Sequence, residues 1–186
     1  MKIEMQKFAV GGVLAGAIDG RDAFLAILGD CARAPSIPQI LILDFKGISL
    51  ATASFLRECV FALKDHMRAR RSNWYPVLAN VSATIEDELS ILTQAGRDAL
   101  ILINCGSDGE IQAPRLFGDL DPKHQRTFEM VAERGEADAT SLAAAYGHSE
   151  QLENTTAWNN RLRTLSERGV LMEFSKGRAK TYKPAW

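Results

Sequence analysis

The residues best suited to recognition chemistry lie near the end of the 186-residue chain, where a helix is expected to begin near Asn154 or Thr155. Turning about 100° per residue, this helix places three apolar side chains on one stripe: Trp158, Leu162 and Leu165. The opposite face and its flanks carry polar side chains, which are Thr155, Thr156, Asn159, Asn160, Arg163 and Glu167. In a DNA major groove, asparagine can pair with adenine and arginine with guanine through two hydrogen bonds each. This helix face therefore has the chemistry to read base edges.

Positive charge is concentrated in the same part of the chain. From Asn154 to the end, seven Lys or Arg residues stand against two acidic ones, a local charge of +5 in a chain of net charge −1. Two strand-like stretches, Val170–Phe174 and Lys180–Trp186, flank Ser175–Arg178 and predict a β-hairpin with a basic tip. The cations suited to neutralising phosphates or entering a minor groove are Lys176, Arg178 and Lys180. Arg161, at the edge of the polar helix face, could contact phosphate or simply pack.

Two further helices are expected before this segment. Asp121 can cap a helix that begins at Pro122 and breaks at Gly135. A second helix is expected to begin near Asp138 and to stop at Gly147, which would act as a C′ glycine. The sequence therefore predicts three helices followed by a hairpin.

This arrangement resembles the winged helix-turn-helix of bacterial transcriptional regulators, over roughly residues 122–186. The resemblance is carried by TTAWNNRLRTLSERGVLMEFSKGRAKTYK, which holds an R-L-x-x-L-x-x-x-G-V-L core and a Gly-Arg hairpin tip. It implies a protein that binds double-stranded DNA, and a homodimer is expected because one recognition helix rarely supplies enough specificity alone. One departure is the stretch from Gly147 to Asn154, which is longer than the usual turn between the second and third helices.

The first 118 residues alternate strand-like and helix-like periods, which predicts an α/β domain with a mixed sheet and flanking helices. Strands are expected at 3–10, 40–45, 75–81 and 100–104, and helices at about 21–32, 52–67 and 84–94. A boundary is expected at Gly118–Pro122. The predicted organisation is thus an α/β domain over residues 1–118 and a small α+β domain over residues 119–186.

Two stretches of the first domain, Gly16–Asp19 and LILDFKGISLATASFLREC from Leu41 to Cys59, resemble the STAS family of sulfate-transporter and anti-sigma-antagonist domains. Asp44–Ile48 matches the strand end of that family's motif. Where anti-sigma antagonists carry their phosphorylated serine, this chain has Ala53, which has no hydroxyl to accept a phosphoryl group. The resemblance implies a partner or ligand loop at Thr52, Ser54 and Phe55, and an anti-sigma-type kinase as one partner. The simpler interpretation makes Ser54 a helix cap.

Several classes of function find no support in the sequence. Three widely spaced cysteines and three scattered histidines show no metal-ligand or catalytic spacing, so we expect no metal, no cofactor and no enzyme activity. The chain lacks a membrane-length apolar run and a signal peptide, which predicts a cytoplasmic protein. A secondary basic patch is expected late in a helix, formed by Lys64, Arg68, Arg70 and Arg71.

Two functional hypotheses follow. In the first, the protein is a transcription factor whose STAS-like domain senses, dimerises or binds a partner while the winged helix binds DNA. In the second, it is a partner-switching adaptor that binds an anti-sigma-type kinase, and the winged helix docks protein instead of DNA.

Overall fold

The computed structural model describes residues 1–106, 109–177 and 179–186, with only the backbone of Lys176. The chain divides into two compact units, Met1–Asp119 and Leu120–Ala185. No helix in the described part of the chain is long and apolar enough to cross a membrane.

The first unit alternates strands and helices, as the sequence predicts for an α/β fold. In chain order its elements are β1 (Lys2–Glu4), β2 (Val13–Leu14), α1 (Ala17–Asp30), β3 (Gln39–Asp44), β4 (Leu50–Ala51), α2 (Ala53–Leu56), α3 (Ala62–Ala69), β5 (Trp74–Ala79), α4 (Ala83–Gly96), β6 (Ala99–Cys105) and β7 (Ile111–Gly118). A 3-10 turn occupies Met5–Phe8, and a π-helical segment, Arg57–Phe61, joins α2 to α3.

The main sheet has the strand order β1-β3-β5-β6-β7 among the described residues. All neighbouring pairs are parallel except β6 and β7, which are antiparallel. Leu41, Leu43 and Leu78 share one buried core with side chains of the helices, such as Ile27 of α1 and Leu63 of α3. The predicted α/β fold with a mixed sheet and flanking helices is therefore confirmed for this unit.

One strand prediction is wrong in its extent, and the strand β7 is missing from the prediction. β1 ends at Glu4 instead of continuing to Val10, because the chain turns into a 3-10 helix at Met5. The sequence does not predict β7, because Pro114 interrupts its pattern; in the structure, Ala113 next to it adopts a left-handed φ of 45°. Proline and irregular backbone are typical of edge strands, where they discourage pairing with another chain.

Asp44 is the last residue of β3 and is only 3% exposed. Burial by itself would raise the pKa of this carboxyl, but hydrogen bonds from Lys2, Asn80 and the Lys46 N–H hold the pKa below its usual value. The Lys2 Nζ and Asn80 Nδ2 atoms lie 2.6 Å and 2.7 Å from its oxygens. Asp44 therefore ties β1 and the loop after β5 to the end of β3.

The predicted basic patch, which the structure places in α3 and the turn after it, is wrong for two of its four residues. Lys64 is buried, and its Nζ donates to Asp98 Oδ2 at 2.5 Å and to the Ala99 carbonyl at 2.7 Å. Arg68 donates to the carbonyls of Ser72 and Trp74. Both cations are thus used inside the unit, because burial requires a charged group to find partners.

The described part of the second unit contains three helices and a hairpin. They are α5 (Pro122–Arg134), α6 (Ala139–Tyr146), α7 (Thr155–Glu167), β8 (Leu171–Lys176) and β9 (Ala179–Pro184). The backbone of Ala137, between α5 and α6, exchanges two hydrogen bonds with Tyr182 of β9. β9 is therefore flanked by β8 on one side and by a single bridging residue on the other.

The predicted start of α5 is confirmed. Asp121 accepts hydrogen bonds from the backbone N–H groups of Lys123 and His124, and Pro122 is the first helical residue. Asp138 caps α6 in the same way: its side chain accepts from the Ser141 N–H, and the Ser141 Oγ accepts from the Asp138 N–H in return. Short acidic caps thus define both helix starts.

We predict that Lys64→Ala destabilises the first unit by about 3–5 kcal/mol, because it leaves the Asp98 carboxylate without its buried cation. Urea unfolding followed by circular dichroism measures the change. Lys46→Ala, which removes an exposed lysine, is the matched control and should change the free energy of unfolding by less than about 0.5 kcal/mol. Equal effects of the two substitutions would contradict this role for Lys64.

Candidate nucleic-acid interface

Helix α7 has one fully buried apolar face and one exposed polar face. Trp158, Leu162 and Leu165 are each 0% exposed. The opposite side is exposed at all six polar positions that the sequence singles out: Thr155, Thr156, Asn159, Asn160, Arg163 and Glu167. The apolar stripe holds the helix in the unit, so the polar groups are presented together on a single surface.

The start of α7 is held by two specific contacts. Asn154 Oδ1 accepts from the Thr156 N–H at 2.8 Å, which makes Asn154 the N-cap. The indole Nε1–H of Trp158 donates to the Leu152 carbonyl at 2.6 Å. The second bond joins the helix to the segment before it, and it fixes where the exposed face begins.

The long turn before α7 is an additional turn of helix-like backbone. Beyond α6, the N–H of Leu152 bonds to the Gly147 carbonyl and the N–H of Gln151 to that of His148. Gln151 has a left-handed φ of 51°. These are the two hydrogen bonds and the left-handed residue of a Schellman motif, which ends a helix by satisfying its last carbonyls.

Gly147 does not act as the C′ glycine that the sequence suggests. Its φ is −54°, an ordinary helical value, and Gln151 takes the left-handed position instead. A Cβ at Gly147 would lie 2.3 Å from the Ala143 carbonyl oxygen and 3.3 Å from the Glu153 Cα. Glycine is therefore required here for close backbone approach. The turn is also tied to α5, because Arg126 Nε lies 3.3 Å from Glu150 Oε1.

The two arginines of α7 have different surroundings. Arg161 is half-buried, and its guanidinium lies 5.2 Å from the centre of the Trp158 ring. Of its two expected roles, contact with phosphate or packing, the structure shows this side chain packed against Trp158. Arg163 is 60% exposed on the polar face, with its Nε 3.7 Å from Glu167 Oε1 one turn later. Exposed pairs of this kind contribute at most about 1 kcal/mol, so Arg163 can exchange its partner readily.

The hairpin is paired closer to its tip than the sequence suggests. Its register runs from Leu171 opposite Pro184 to Lys176 opposite Ala179. Strand residues therefore include Ser175 and Lys176, which were expected in the turn. Gly177 has a φ of 63°, a left-handed conformation that favours glycine.

The basic residues of the hairpin are partly paired with acids. Lys180 is exposed and lies 2.7 Å from Glu173 Oε1, and Lys183 lies 2.9 Å from Glu136 Oε2. Arg178 and the side chain of Lys176 lie outside the described residues. By sequence, residues 120–185 hold ten Lys or Arg and nine Asp or Glu, a net charge of only +1. Any attraction to a polyanion must therefore act locally, at α7 and the hairpin.

The candidate loop of the first unit is partly contradicted. Phe55 is 0% exposed and belongs to the core, so it cannot contact a partner. The N-cap is Thr52 and not Ser54: Thr52 Oγ1 accepts from the N–H groups of Phe55 and Gly16, and it bonds to Ser54 Oγ at 3.1 Å. Thr52 and Ser54 are half-buried. The hydroxyl of Thr52 is thus occupied in joining α1 to α2.

The cysteines are buried and form no disulfide. Burial raises the pKa of Cys31 to about 11 and that of Cys59 to about 12, so both thiols stay protonated at neutral pH. Within the described residues, no group of three or more His, Cys, Asp or Glu side chains could hold a metal ion.

No protein-family model matches the chain, and no curated protein matches it. The function is therefore inferred from the chain's own residues.

Two tryptophans offer a test of the contact that positions α7. Trp158→Phe removes the part-buried hydrogen bond from the indole N–H to the Leu152 carbonyl, whereas Trp74→Phe removes an indole N–H that has no acceptor among the described residues. Because the ring change is the same, we expect Trp158→Phe to cost about 1–2 kcal/mol more of unfolding free energy. Urea unfolding of both variants measures the difference, and an equal loss would show that the indole bond contributes little.

Proposed function

We propose that this protein is a DNA-binding transcriptional regulator, whose second unit is a winged helix-turn-helix that uses α7 to read the major groove and the β8–β9 hairpin to contact the backbone. The observation that carries the proposal is the exposed polar face of α7. It combines side chains able to pair with base edges and a rigid apolar attachment on the opposite side.

The order of elements supports this assignment. Three helices are followed by a hairpin, and a residue between the first two helices bridges to the second hairpin strand. Helix α7 has 13 residues and is about 20 Å long. With its side chains, an α-helix is about 10–12 Å in diameter, so it fits a major groove that is about 12 Å wide. The residues from Thr155 to Arg163 span more than the first two turns of the helix. The N-terminal part of a recognition helix is the part that contacts bases.

The charges support different roles for the two elements: base discrimination for α7 and phosphate contact for the hairpin. Lys180 and Arg163 lie in exposed ion pairs that water and salt already weaken. On DNA, phosphates would replace the carboxylates of Glu173 and Glu167 as partners. Hairpin cations then supply affinity that depends on salt, while the asparagines and Arg163 supply discrimination between bases.

The first unit is proposed to be a STAS-like module for sensing, dimerisation or partner binding in a cytoplasmic protein that is not an enzyme. Ala53 stands at the start of α2, where the family's phosphorylated serine would be. The neighbouring hydroxyl of Thr52 caps that helix. Regulation through this unit is therefore proposed to depend on a bound partner or ligand and not on phosphorylation at this position.

Arg163 provides the sharpest test of base reading. Arg163→Ala should weaken binding to a selected DNA site by about 1–3 kcal/mol and relax the base preference at one position. Arg163→Lys keeps the charge but loses the planar fork, so it should lose the preference while keeping the salt dependence. Fluorescence anisotropy with the selected and a scrambled site measures both effects. Arg134→Ala, which removes an exposed arginine from α5, is the control expected to bind normally.

The hairpin cations should behave differently. Lys176→Ala, Arg178→Ala and Lys180→Ala are each expected to weaken binding to all sequences about equally and to lower the slope of log affinity against log salt by about 1. The measurement is a salt titration of affinity on the same two DNA fragments.

Unchanged affinity in the Arg163 variants and in all three hairpin variants would contradict DNA binding. Absence of any DNA complex at low salt, together with copurification of an anti-sigma-type kinase, would favour the adaptor function instead.

A further inference from the structure

Glu173, in the middle of β8, contacts one buried and one exposed side chain of the neighbouring strand. It is half-buried and lies directly opposite Tyr182 in the register of the hairpin. The Tyr182 hydroxyl donates to Glu173 Oε2 at 3.2 Å, and Lys180 Nζ lies 2.7 Å from Glu173 Oε1. One carboxylate therefore joins the interior of the second unit to a hairpin cation that is expected to contact phosphate.

The two partners of this carboxylate differ in their freedom to move. Tyr182 is only 1% exposed, and its backbone exchanges two hydrogen bonds with Ala137. The Lys180 side chain is 48% exposed, and its ammonium group stands at the end of a flexible four-carbon stem. The lysine can therefore turn to a phosphate while the tyrosine holds the carboxylate in place. A phosphate that takes Lys180 must displace Glu173, so this ion pair opposes the contact with DNA.

A second pair of an acid and a lysine lies on the other face of the hairpin. Lys183 Nζ lies 2.9 Å from Glu136 Oε2, and it also lies 5.5 Å from the centre of the Phe174 ring. Successive side chains of a strand point to opposite faces, so Lys180 and Lys183, three positions apart, lie on opposite faces of β9. The two pairs have the same chemistry in different surroundings, which makes Glu136 a comparison for Glu173.

We propose that Glu173 limits the affinity of this protein for DNA by competing with phosphate for Lys180. The Tyr182 hydroxyl anchors the carboxylate, and Lys180 is the side chain that changes its partner. The competition involves phosphate and no base, so it lowers affinity for all sequences alike. The inference rests on the proposed function, because it concerns the same hairpin contact with the DNA backbone.

Glu173→Gln tests the competition, because it removes the charge and keeps an oxygen that can accept from Tyr182. Fluorescence anisotropy at low salt, with the selected DNA site and a scrambled one, measures the affinity. We expect Glu173→Gln to bind both DNA fragments about two- to fivefold more tightly, the effect of releasing one exposed ion pair. Glu136→Gln is the matched control. It makes the same substitution at the other pair and should change the affinity much less.

A second background separates competition for Lys180 from simple repulsion between Glu173 and DNA. If Glu173 acts through this lysine, the gain from Glu173→Gln should disappear in a chain that also carries Lys180→Ala. A gain that persists in that background would show that the negative charge itself repels DNA, which contradicts the proposal. Urea unfolding of each variant checks that the hairpin substitutions leave the chain folded.

Two further results would overturn the proposal: unchanged affinity in Glu173→Gln, or an equal gain in Glu136→Gln. Both leave the proposed function intact, since each is measured on a complex that the unaltered chain forms with DNA. Absence of any complex at low salt would instead contradict the proposed function, and this inference together with it.

Discussion

The buried indole of Trp158 is the constraint on which the proposed recognition surface depends. Its ring fills the interior of the second unit, and its N–H reaches the Leu152 carbonyl at the end of the turn before α7. The same residue also lies beneath the guanidinium of Arg161. Because one side chain joins the core, the turn and the helix, the polar face of α7 has a defined direction. A recognition helix needs this rigidity, since base readout requires hydrogen bonds of fixed geometry.

Much of this organisation follows from residue type and spacing. The stripe of Trp158, Leu162 and Leu165 predicts the buried face of α7, and the structure has all three fully buried. Asp121 before Pro122 predicts the start of α5, since a cap and a proline act locally. Likewise, the apolar run of β3 predicts a central strand. These features depend on near neighbours in the chain, which a single sequence displays directly.

The features that were missed depend on partners distant in sequence. Lys64 resembles an exposed basic residue until Asp98, 34 positions later, is seen beside it. Gly147 is an exception with near neighbours: it resembles a helix-ending glycine, but the close approach of the Ala143 carbonyl oxygen explains the glycine instead. Phe55 resembles a loop residue, although the fold of the whole unit buries it completely.

The central claim is that α7 reads DNA sequence while the hairpin contributes contacts to the backbone. Selection of bound fragments from random-sequence DNA at two salt concentrations tests it most directly. We expect the same short sequence to be enriched at both concentrations and less DNA to be recovered at the higher one, because salt weakens phosphate contacts and not base discrimination. Recovery of DNA without any enriched sequence, or no recovery at low salt, would contradict it.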